Sequence, residues 1–294
     1  MRKRLRTTTR LVFAVIAIAL LSAFVAACDD DDDDDGGAEV PTLEIGAADF
    51  AFTVSGDMRP GMHAINMTNS GAEAHQAQIV SLADGHTMDE AVASLSDPTA
   101  PIPDWIGFVG GPSVQPPGGT GTVYADLAAG TYGLLCFVSG EDGIPHFAKG
   151  MVAEFTVEGA VVEADAPEAD VSVTAVDSGD GTSYSFEAPA TVDAGELVIE
   201  FANNGSEPHE MTIERLPEGF TAEDYIAIVT GSEPPPEGVL PESFGGVQAI
   251  LPGAPTQSTL VNLEAGEYVL VCFVPNATGA PHAAFGMIQP LTVE

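Results

Sequence analysis

Short runs in which hydrophobic and polar residues alternate recur along the chain, and this alternation is typical of β-strands with one buried face. Gly, Pro and Asn separate the runs. The pattern predicts about seven strands in each half of the chain. In the second half, the predicted strands lie at residues 171–176, 183–187, 196–202, 210–215, 258–263, 268–273 and 287–293.

One short helix is predicted among the strands of each half. Thr87 and Thr221 each place a hydroxyl directly before an apolar-periodic segment, with an acidic residue three positions later. This spacing is typical of a capped helix N-terminus. The proline-rich stretches that follow, at 98–103 and 234–236, cannot be central strands because proline has no amide donor. The chain is therefore predicted to be all-β with one short helix in each half.

The two halves of the chain repeat one another. Residues 132–151 and 268–287 both read Y-x-L-x-C-F-V-x6-P-H-x3-G-M, and residues 68–75 correspond to residues 202–209. A repeat of this length indicates tandem domains rather than a solenoid of small units.

Two domains are predicted from this repeat. The first spans residues 42–158 and the second spans residues 170–294. Between them, residues 159–169 are rich in Ala and Glu and include a Pro, which is typical of a linker.

The chain is strongly acidic, with 8 Lys and Arg against 44 Asp and Glu and a formal charge of −36. Five of the eight basic residues lie in the first ten positions. The rest of the chain would repel a phosphate backbone, so nucleic-acid binding is excluded.

The N-terminus has the pattern of an export signal. A basic stretch precedes an apolar run at 11–25, and a V-A-A-C motif ends at Cys28. This motif resembles a bacterial lipobox, which implies removal of a signal peptide at 1–27 and a lipid on the Cys28 sulfur. An uncleaved anchor is the alternative. In both cases we expect a membrane-anchored protein whose folded part lies at the extracytoplasmic face of the bacterial cytoplasmic membrane.

Residues 28–41 are predicted to form an acidic tether. Seven consecutive Asp residues at 29–35 repel one another and favour an extended chain. A calcium site is the alternative, but the run lacks the turn glycines and varied oxygen ligands of such sites.

The repeat also predicts two metal sites. Two His, one Cys and one Met recur at matched positions in each half, and together they are the donor set of a trigonal copper site with a long axial Met ligand. Zinc ranks second, because structural zinc takes four strong Cys or His ligands and leaves the Met residues without a role. The predicted ligands are His75, Cys136, His146 and Met151 in the first half, and His209, Cys272, His282 and Met287 in the second half.

Glycine and proline residues next to these ligands predict a preformed loop. Gly150 and Gly286 directly precede the two Met residues and are expected to permit close packing of the loop. Pro145 and Pro281 directly precede the second His of each set and are expected to stiffen it.

The chain resembles the cupredoxins, the plastocyanin-like blue copper proteins, over residues 42–294. Residues 201–209 are similar to the plastocyanin segment around the first copper His, and the Y-x-L-x-C and P-H-x3-G-M motifs are similar to the segment with the other ligands. The resemblance implies two tandem Greek-key cupredoxin-like β-sandwiches, each with one copper ion held by the four residues above. The acidic composition resembles that of halophilic proteins, including the halocyanins, which are lipid-anchored blue copper proteins.

This resemblance implies electron transfer rather than catalysis. Two-domain cupredoxins also include laccases and nitrite reductases, but this sequence has no His-x-His pair for a second copper centre. Phe137 and Phe273 follow the two Cys residues, where a His would lead electrons to a catalytic metal. We expect a carrier, not an enzyme, with redox partner proteins at the membrane. Copper storage or delivery and a metal-free cupredoxin-like binding module are the alternatives.

Two further hypotheses concern the remaining His residues and the thiols. His63 and His86 are expected to be surface residues without a role. A disulfide between Cys136 and Cys272 is the other use of the thiols, although it would require two equivalent sites in separate domains to touch.

Overall fold

The computed structural model describes residues 39–97, 99–230, 232 and 242–294. The predicted signal peptide, Cys28, the Asp run at 29–35 and the prolines at 234–236 lie outside these residues. Gly37–Glu294 forms one compact unit. Within the described ranges, no helix has the length and hydrophobicity needed to cross a membrane.

The first half has eight strands, one α-helix and one short 3₁₀ helix. The strands are β1 (Thr42–Ala48), β2 (Ala51–Gly56), β3 (Gly61–Asn69), β4 (Gln78–Leu82), β5 (Ile106–Gly110), β6 (Thr120–Leu127), β7 (Gly130–Leu135) and β8 (Val152–Val157). Helix α1 (Met88–Leu95) lies between β4 and β5, and the 3₁₀ helix His146–Lys149 lies between β7 and β8.

The second half repeats this order with one additional short strand. Its strands are β9 (Val171–Asp177), β10 (Tyr184–Glu187), β11 (Thr191–Val192), β12 (Gly195–Asn203), β13 (His209–Arg215), β14 (Glu242–Ile250), β15 (Gln257–Leu263), β16 (Gly266–Val271) and β17 (Ile288–Val293). Helix α2 (Ala222–Val229) follows β13, and the 3₁₀ helix His282–Phe285 precedes β17.

The strands form two sheets, and both sheets run through the two halves. One sheet has the order β10-β9-β12-β15-β6-β3-β1-β2, and the other has the order β11-β17-β16-β13-β14-β5-β4-β7-β8. Apolar side chains of both sheets, such as Leu43 and Ile79 in the first half and Phe201 and Ile213 in the second, form one buried cluster. The predicted all-β fold of two tandem sandwiches, each with one short helix, is confirmed.

The two halves meet around a pseudo-twofold axis. In one sheet, β6 pairs antiparallel with β15, its own counterpart in the repeat. At the axis, the Ser113 N–H donates to the Gly246 carbonyl at 3.2 Å, and the Gln248 N–H donates to the Gly111 carbonyl at 2.8 Å. The two hydrogen bonds are related by the pseudo-twofold axis, because Ser113 corresponds to Gln248 and Gly111 to Gly246. The halves therefore share their sheets.

The predicted helix N-termini are confirmed. The Thr87 hydroxyl accepts a hydrogen bond from the Glu90 N–H at 3.3 Å, and the Glu90 carboxylate accepts one from the Thr87 N–H at 3.0 Å. Thr221 and Asp224 form the same pair of bonds at 3.2 and 2.8 Å. Each helix start thus has two of its free backbone donors satisfied.

The surfaces beneath the two helices differ. Under α1, Val80 and Ala91 are buried in an apolar cluster. The corresponding residues under α2 are Glu214 and Tyr225, and the tyrosine hydroxyl donates to the carboxylate at 2.5 Å. Burial raises the pKa of Glu214 above its ordinary value of 4.5, and the hydrogen bond from Tyr225 opposes this effect in part. The second half therefore has a polar pair, half-buried Glu214 and buried Tyr225, where the first half is apolar.

Candidate metal centres

Three predicted ligands of the first half converge on one point. His75 lies just before β4, Cys136 directly follows β7, and His146 begins the 3₁₀ helix. The Nδ1 atoms of the two imidazoles are 3.1 Å apart, and the Cys136 Sγ lies 3.8 Å from His75 Nδ1 and 3.6 Å from His146 Nδ1. The ligand atoms of the three residues all lie within 4.8 Å of one another, close enough to share one ion.

The second half forms the same cluster. His209 begins β13, Cys272 directly follows β16, and His282 begins the second 3₁₀ helix. The two Nδ1 atoms are 3.0 Å apart, and the Cys272 Sγ lies 4.0 and 3.5 Å from them. Among the described residues, these two clusters are the groups of His, Cys, Asp and Glu arranged to hold a metal.

A carboxylate contacts the outer nitrogen of each imidazole in the first half. His75 Nε2 lies 3.2 Å from Asp49 Oδ1, and His146 Nε2 lies 3.0 Å from Glu73 Oε2. An ionised carboxylate only accepts hydrogen bonds, so each Nε2 carries the proton and donates it. The Nδ1 atom of each ring is left with its lone pair, and both of these atoms lie near the Cys136 sulfur.

The second half repeats this arrangement. His209 Nε2 lies 3.0 Å from Asp177 Oδ2, and His282 Nε2 lies 3.2 Å from Glu207 Oε2. Carboxylate–histidine pairs of this kind orient the ring and make its other nitrogen a stronger metal ligand. All four imidazoles are thus positioned to bind a metal through Nδ1.

Burial favours the uncharged form of three of these imidazoles. All four rings are fully buried, and burial lowers the pKa of His75, His209 and His282. The carboxylate at Nε2 opposes this effect in each case, and the adjacent His209 imidazole lowers the pKa of His282 further, because two protonated rings would repel each other. Neutral imidazole is the form that binds a metal.

The surroundings of the two thiols would also favour a bound cation. Burial raises the pKa of Cys136 to about 11 and that of Cys272 well above 9.0. The Gln76 N–H opposes this effect by donating to the Cys136 sulfur at 3.5 Å. A metal ion that displaces the thiol proton would supply the positive charge that a buried thiolate lacks. Both cysteines are free thiols, so the disulfide hypothesis is wrong.

The two methionines lie next to these clusters. Met151 and Met287 are fully buried, and each donates its backbone N–H to the carbonyl of the second His of its own half, His146 at 3.0 Å and His282 at 3.2 Å. This hydrogen bond fixes the residue beside the imidazole. The axial ligation by the methionine sulfurs stays a prediction.

The glycine before each methionine is required by its backbone conformation, and not only by the close packing that we expected. Gly150 and Gly286 end the 3₁₀ helices with φ values of 101° and 107°, in the left-handed region. A Cβ atom at Gly150 would meet nothing within 4 Å, whereas one at Gly286 would lie 3.1 Å from the Tyr184 carbonyl oxygen. The backbone conformation therefore requires glycine at both positions, and close packing also restricts Gly286. Pro145 and Pro281 directly precede the 3₁₀ helices.

An aromatic ring packs on the second His of each site, with different geometry. Phe50 meets His146 edge-on, with ring centroids 5.3 Å apart at 88°. Tyr184 stacks on His282 at 4.0 Å and 13°, and its hydroxyl donates to Glu207 Oε1 at 3.0 Å. Burial and the Glu207 carboxylate raise the pKa of Tyr184 to about 12, so the hydroxyl keeps its proton. Glu207 is thus held by two residues of the second site.

The carboxylates behind the first His of each site differ in exposure. The side chain of Asp49 is 40% exposed, whereas that of Asp177 is 2% exposed. Burial raises the pKa of Asp177, but hydrogen bonds from Ser206, His209 and Gly179 outweigh burial and hold the pKa well below its usual 3.8. The second site therefore has a buried, fully bonded negative charge that the first site lacks.

The residue after the first His also differs. In the first half, Gln76 Nε2 donates to Gln248 Oε1 across the boundary between the halves at 2.6 Å. In the second half, Glu210 Oε1 accepts a hydrogen bond from the Phe273 N–H at 2.9 Å. Burial raises the pKa of Glu210 to about 7 in spite of this bond. An additional carboxyl group therefore lies near the Cys272 thiol.

The donor atoms in each half fit copper. Two neutral imidazole nitrogens and one thiol sulfur meet in a buried space, and a thioether follows five residues after the second His. Calcium and magnesium take oxygen ligands, whereas this nitrogen and sulfur set suits a trigonal copper ion. Each half thus combines a β-sandwich with this donor set, as its resemblance to the cupredoxins implies.

Comparison with solved structures finds copper proteins among the chains similar to this one. A multicopper oxidase aligns over 86% of this chain and 88% of its own, with 19% identity and a TM-score of 0.26. A reduced auracyanin from Roseiflexus castenholzii aligns over 43% of this chain and 99% of its own, with 21% identity and a TM-score of 0.28. The Cu-containing nitrite reductase of Thermus scotoductus aligns over 86% of this chain and 61% of its own, with 15% identity and a TM-score of 0.26.

No protein-family model and no curated protein matches the chain. Because the structural TM-scores are below 0.5, the cupredoxin-like assignment rests on the strands and side chains of the chain itself.

The four carboxylates are not among the site residues predicted from the sequence. Glu73 and Glu207 occupy matched positions two residues before the first His of each repeat, and this match is the signal that identifies them. Asp49 directly follows β1 and Asp177 is the last residue of β9, and the two lie at different distances from the first His. Their position next to the first His of each half can be recognised only in the folded structure, where the β-strands are paired.

The two remaining histidines lie outside both clusters. His63 was expected at the surface, and this is wrong: β3 is a central strand, and His63 is fully buried on it with Nδ1 2.9 Å from the Gly61 carbonyl. His86 is partly exposed and stacks on Trp105 with ring centroids 4.1 Å apart.

Proposed function

We propose that each half binds one copper ion and that the chain carries single electrons through these two sites. The observation that carries this proposal is the convergence, twice in one chain, of two neutral imidazole nitrogens and one thiol sulfur within 4.8 Å in a buried space. Bound copper supplies one-electron chemistry. Ligands that are already in place limit the rearrangement that accompanies a change of oxidation state.

The roles of the residues follow from their contacts. In the first half, His75 Nδ1, His146 Nδ1 and Cys136 Sγ would hold the copper ion, and the Met151 sulfur would be a weaker fourth ligand. His209, His282, Cys272 and Met287 have these roles in the second half. The four carboxylates at Nε2 orient the imidazoles and keep the proton on the outer nitrogen.

The carrier role is favoured over catalysis and over copper delivery. Fully buried Leu135 and Val271 precede the two Cys residues, and Phe137 and Phe273 follow them, so no imidazole extends from either Cys toward a further metal. Ligands with no solvent exposure favour retention of the ion, whereas a delivery protein has to release it.

A copper titration of the full chain tests this proposal. We expect two Cu(II) ions per chain with the intense blue or green absorption of copper thiolate, because each half has one thiolate. Cys136→Ser and Cys272→Ser should each remove about half of the absorption and one of the two ions. The control is His86→Ala, which lies outside both clusters and should change neither value.

Reduction of the loaded chain separates the roles. Reversible bleaching by ascorbate without loss of copper supports a carrier, and release of copper on reduction supports delivery. A colourless chain with two bound Cu(II) ions contradicts the type 1 assignment, and sustained oxidation of ascorbate by oxygen contradicts the carrier role.

We further propose that Cys28 carries a lipid that holds the chain at the extracytoplasmic face of the membrane, where it meets its redox partner proteins. The V-A-A-C motif supports this proposal. Labelling cells with radioactive palmitate should label the wild type and the Cys136→Ser variant, but not Cys28→Ala. Label that persists in Cys28→Ala would refute lipidation at this residue.

A further inference from the structure

A cavity of about 850 Å³ lies where the two halves meet. Its volume is typical of sites for small organic molecules. Residues that correspond in the repeat line it in pairs, so the cavity lies across the pseudo-twofold axis. These pairs are Gln76 and Glu210, Gln78 and Thr212, Val114 and Ala249, Phe137 and Phe273, and Val138 and Val274.

The cavity wall is in direct contact with both metal-binding clusters. Phe137 is bonded to Cys136, and Phe273 is bonded to Cys272. Gln76, also a wall residue, donates its N–H to the Cys136 sulfur at 3.5 Å. A molecule in the cavity is therefore one residue away from a cysteine of each half.

The walls suit a flat aromatic molecule. The ring of Phe137 packs against Phe147 at 5.0 Å and against Phe108 at 6.3 Å, and all three line the cavity. On the opposite side, the Phe273 side chain is 40% exposed and lines the cavity too. Phe108 and Phe147 are buried behind Phe137, so the rings available to stack on a ligand ring are those of Phe137 and Phe273.

The polar groups of the wall favour a neutral hydroxyl donor. Gln76 and Gln78 donate their amide hydrogens to Gln248 and to backbone carbonyls, so these donors are engaged. Glu210 uses Oε1 to accept from Phe273, whereas its Oε2 has no hydrogen-bond partner among the described residues. This oxygen accepts a ligand hydroxyl, and the carboxyl groups of Glu210 and Glu207 in the wall disfavour anionic ligands.

The mouth of the cavity is formed by both halves. Ala100, in the proline-rich loop of the first half, and Ala277, between Cys272 and His282, are exposed and line it. The two loops touch, since a Cβ atom on Gly279 would lie 3.2 Å from Thr99 Cγ2. Bulky side chains at the mouth should block entry without disturbing the buried core.

We propose that this cavity binds a neutral hydroquinone, which donates electrons to the two sites. The donor role rests on the proposed function. One hydroquinone loses two electrons and its two hydroxyl protons and becomes the quinone, while the copper(II) of each half gains one electron and the protons pass to water. A two-electron donor thus matches two one-electron sites on either side of one cavity.

Calorimetry with the metal-free full chain tests the site apart from any redox activity, with trimethylhydroquinone as the probe under anaerobic conditions. We expect one molecule bound per chain. Ala277→Trp should weaken binding about tenfold or more by filling the mouth. The matched control is Ala93→Trp, an exposed alanine of α1 outside the cavity, which should leave binding unchanged.

Two analogues test the chemistry of the ligand. The dimethyl ether of the probe lacks the hydroxyl donors and should bind about tenfold more weakly, as should the anionic dihydroxybenzoate. Absence of saturable binding to the metal-free chain, or equal binding by wild type and Ala277→Trp, overturns the proposal.

The copper-loaded chain distinguishes failure of this proposal from failure of the proposed function. One equivalent of the probe should bleach both sites, more slowly in Ala277→Trp than in Ala93→Trp, while both variants react alike with hexaammineruthenium(II), a small cationic reductant. A blue chain that binds no probe overturns the cavity proposal alone. A chain that stays colourless with copper bound overturns the proposed function and the donor role with it.

Discussion

The two metal-binding clusters have the same ligand types but different surroundings. Behind the first His, Asp49 of the first site is largely accessible to water, whereas Asp177 of the second site is buried and bonded on several sides. Glu210 adds a further carboxyl group near Cys272, where the first site has Gln76. Negative charge stabilises Cu(II) relative to Cu(I), so we expect the second site to have the lower reduction potential. A repeated ligand set thus does not imply two equivalent sites.

The surfaces beneath the helices show a similar contrast. The first half buries Val80 against Ala91, and the second half packs the half-buried Glu214 against Tyr225. A buried carboxyl group is stable only when it is protonated or hydrogen-bonded. The second half therefore depends on one tyrosine hydroxyl in a place where the first half depends on apolar contact alone.

The largest expected effect is on copper affinity. Asp177→Asn should weaken copper binding at the second site by about 10–100-fold, since the negative charge that orients His209 and strengthens it as a ligand is lost. Asp49→Asn should weaken the first site by a smaller factor, because the Asp49 carboxylate is 40% exposed and its charge is already partly screened by water. Competition for copper with a chelator, read from the blue absorption, measures both. Equal losses at the two sites would contradict the contrast between a buried and an exposed carboxylate.

The next effect is on stability. Tyr225→Phe should reduce the free energy of unfolding by about 1–3 kcal/mol, because the buried Glu214 carboxyl loses its donor. Urea unfolding of the metal-free chain measures this value. In a Glu214→Val background, which copies the first half, the same Tyr225→Phe change should cost much less. A full loss in both backgrounds would show that the hydrogen bond is not the cause.

The smallest effect is a pH dependence. The pKa of Glu214 is higher in the folded chain than its ordinary 4.5, so the folded state binds the proton more tightly than the unfolded state. This group therefore contributes stability at low pH that is lost as the pH rises from 4.5 through the folded pKa. Glu214→Gln removes the loss, so the stability of the variant relative to wild type should increase through this window and then level off. Exposed Glu218→Gln is the control and should show no such increase.

Much of the fold could be predicted from alternation and from the repeat. The strands of the second half are predicted to within about two residues, because each has one buried face. The pattern does not predict β14, whose sequence contains Gly245, Gly246 and Gln248. This strand is buried against the first half. Its stability comes from contacts between the halves, which the local sequence does not record.

The site could be predicted in its ligands but not in its surroundings. His and Cys at matched positions in both halves indicate a metal site by themselves, because few other functions require that combination of residues. The carboxylates at Nε2 escape notice because acidic residues are abundant in this chain and most of them are solvated. Burial separates Asp177 from most of the other acidic residues, and burial depends on the packing of loops that the sequence pattern does not predict.

The pairing of β6 with β15, in which Val123 lies opposite its counterpart Thr259, makes the contact between the halves isologous. An isologous contact is complete with two copies, so the same edges cannot recruit a third. A half cut from the chain would leave β5 and β6 as open edges, ready to pair with another copy. The two halves are thus related like the subunits of a symmetric homodimer, but they belong to one polypeptide. Because they are encoded separately, one half can have residues, such as Tyr184 and Glu210, that the other lacks, whereas the subunits of a homodimer are always identical.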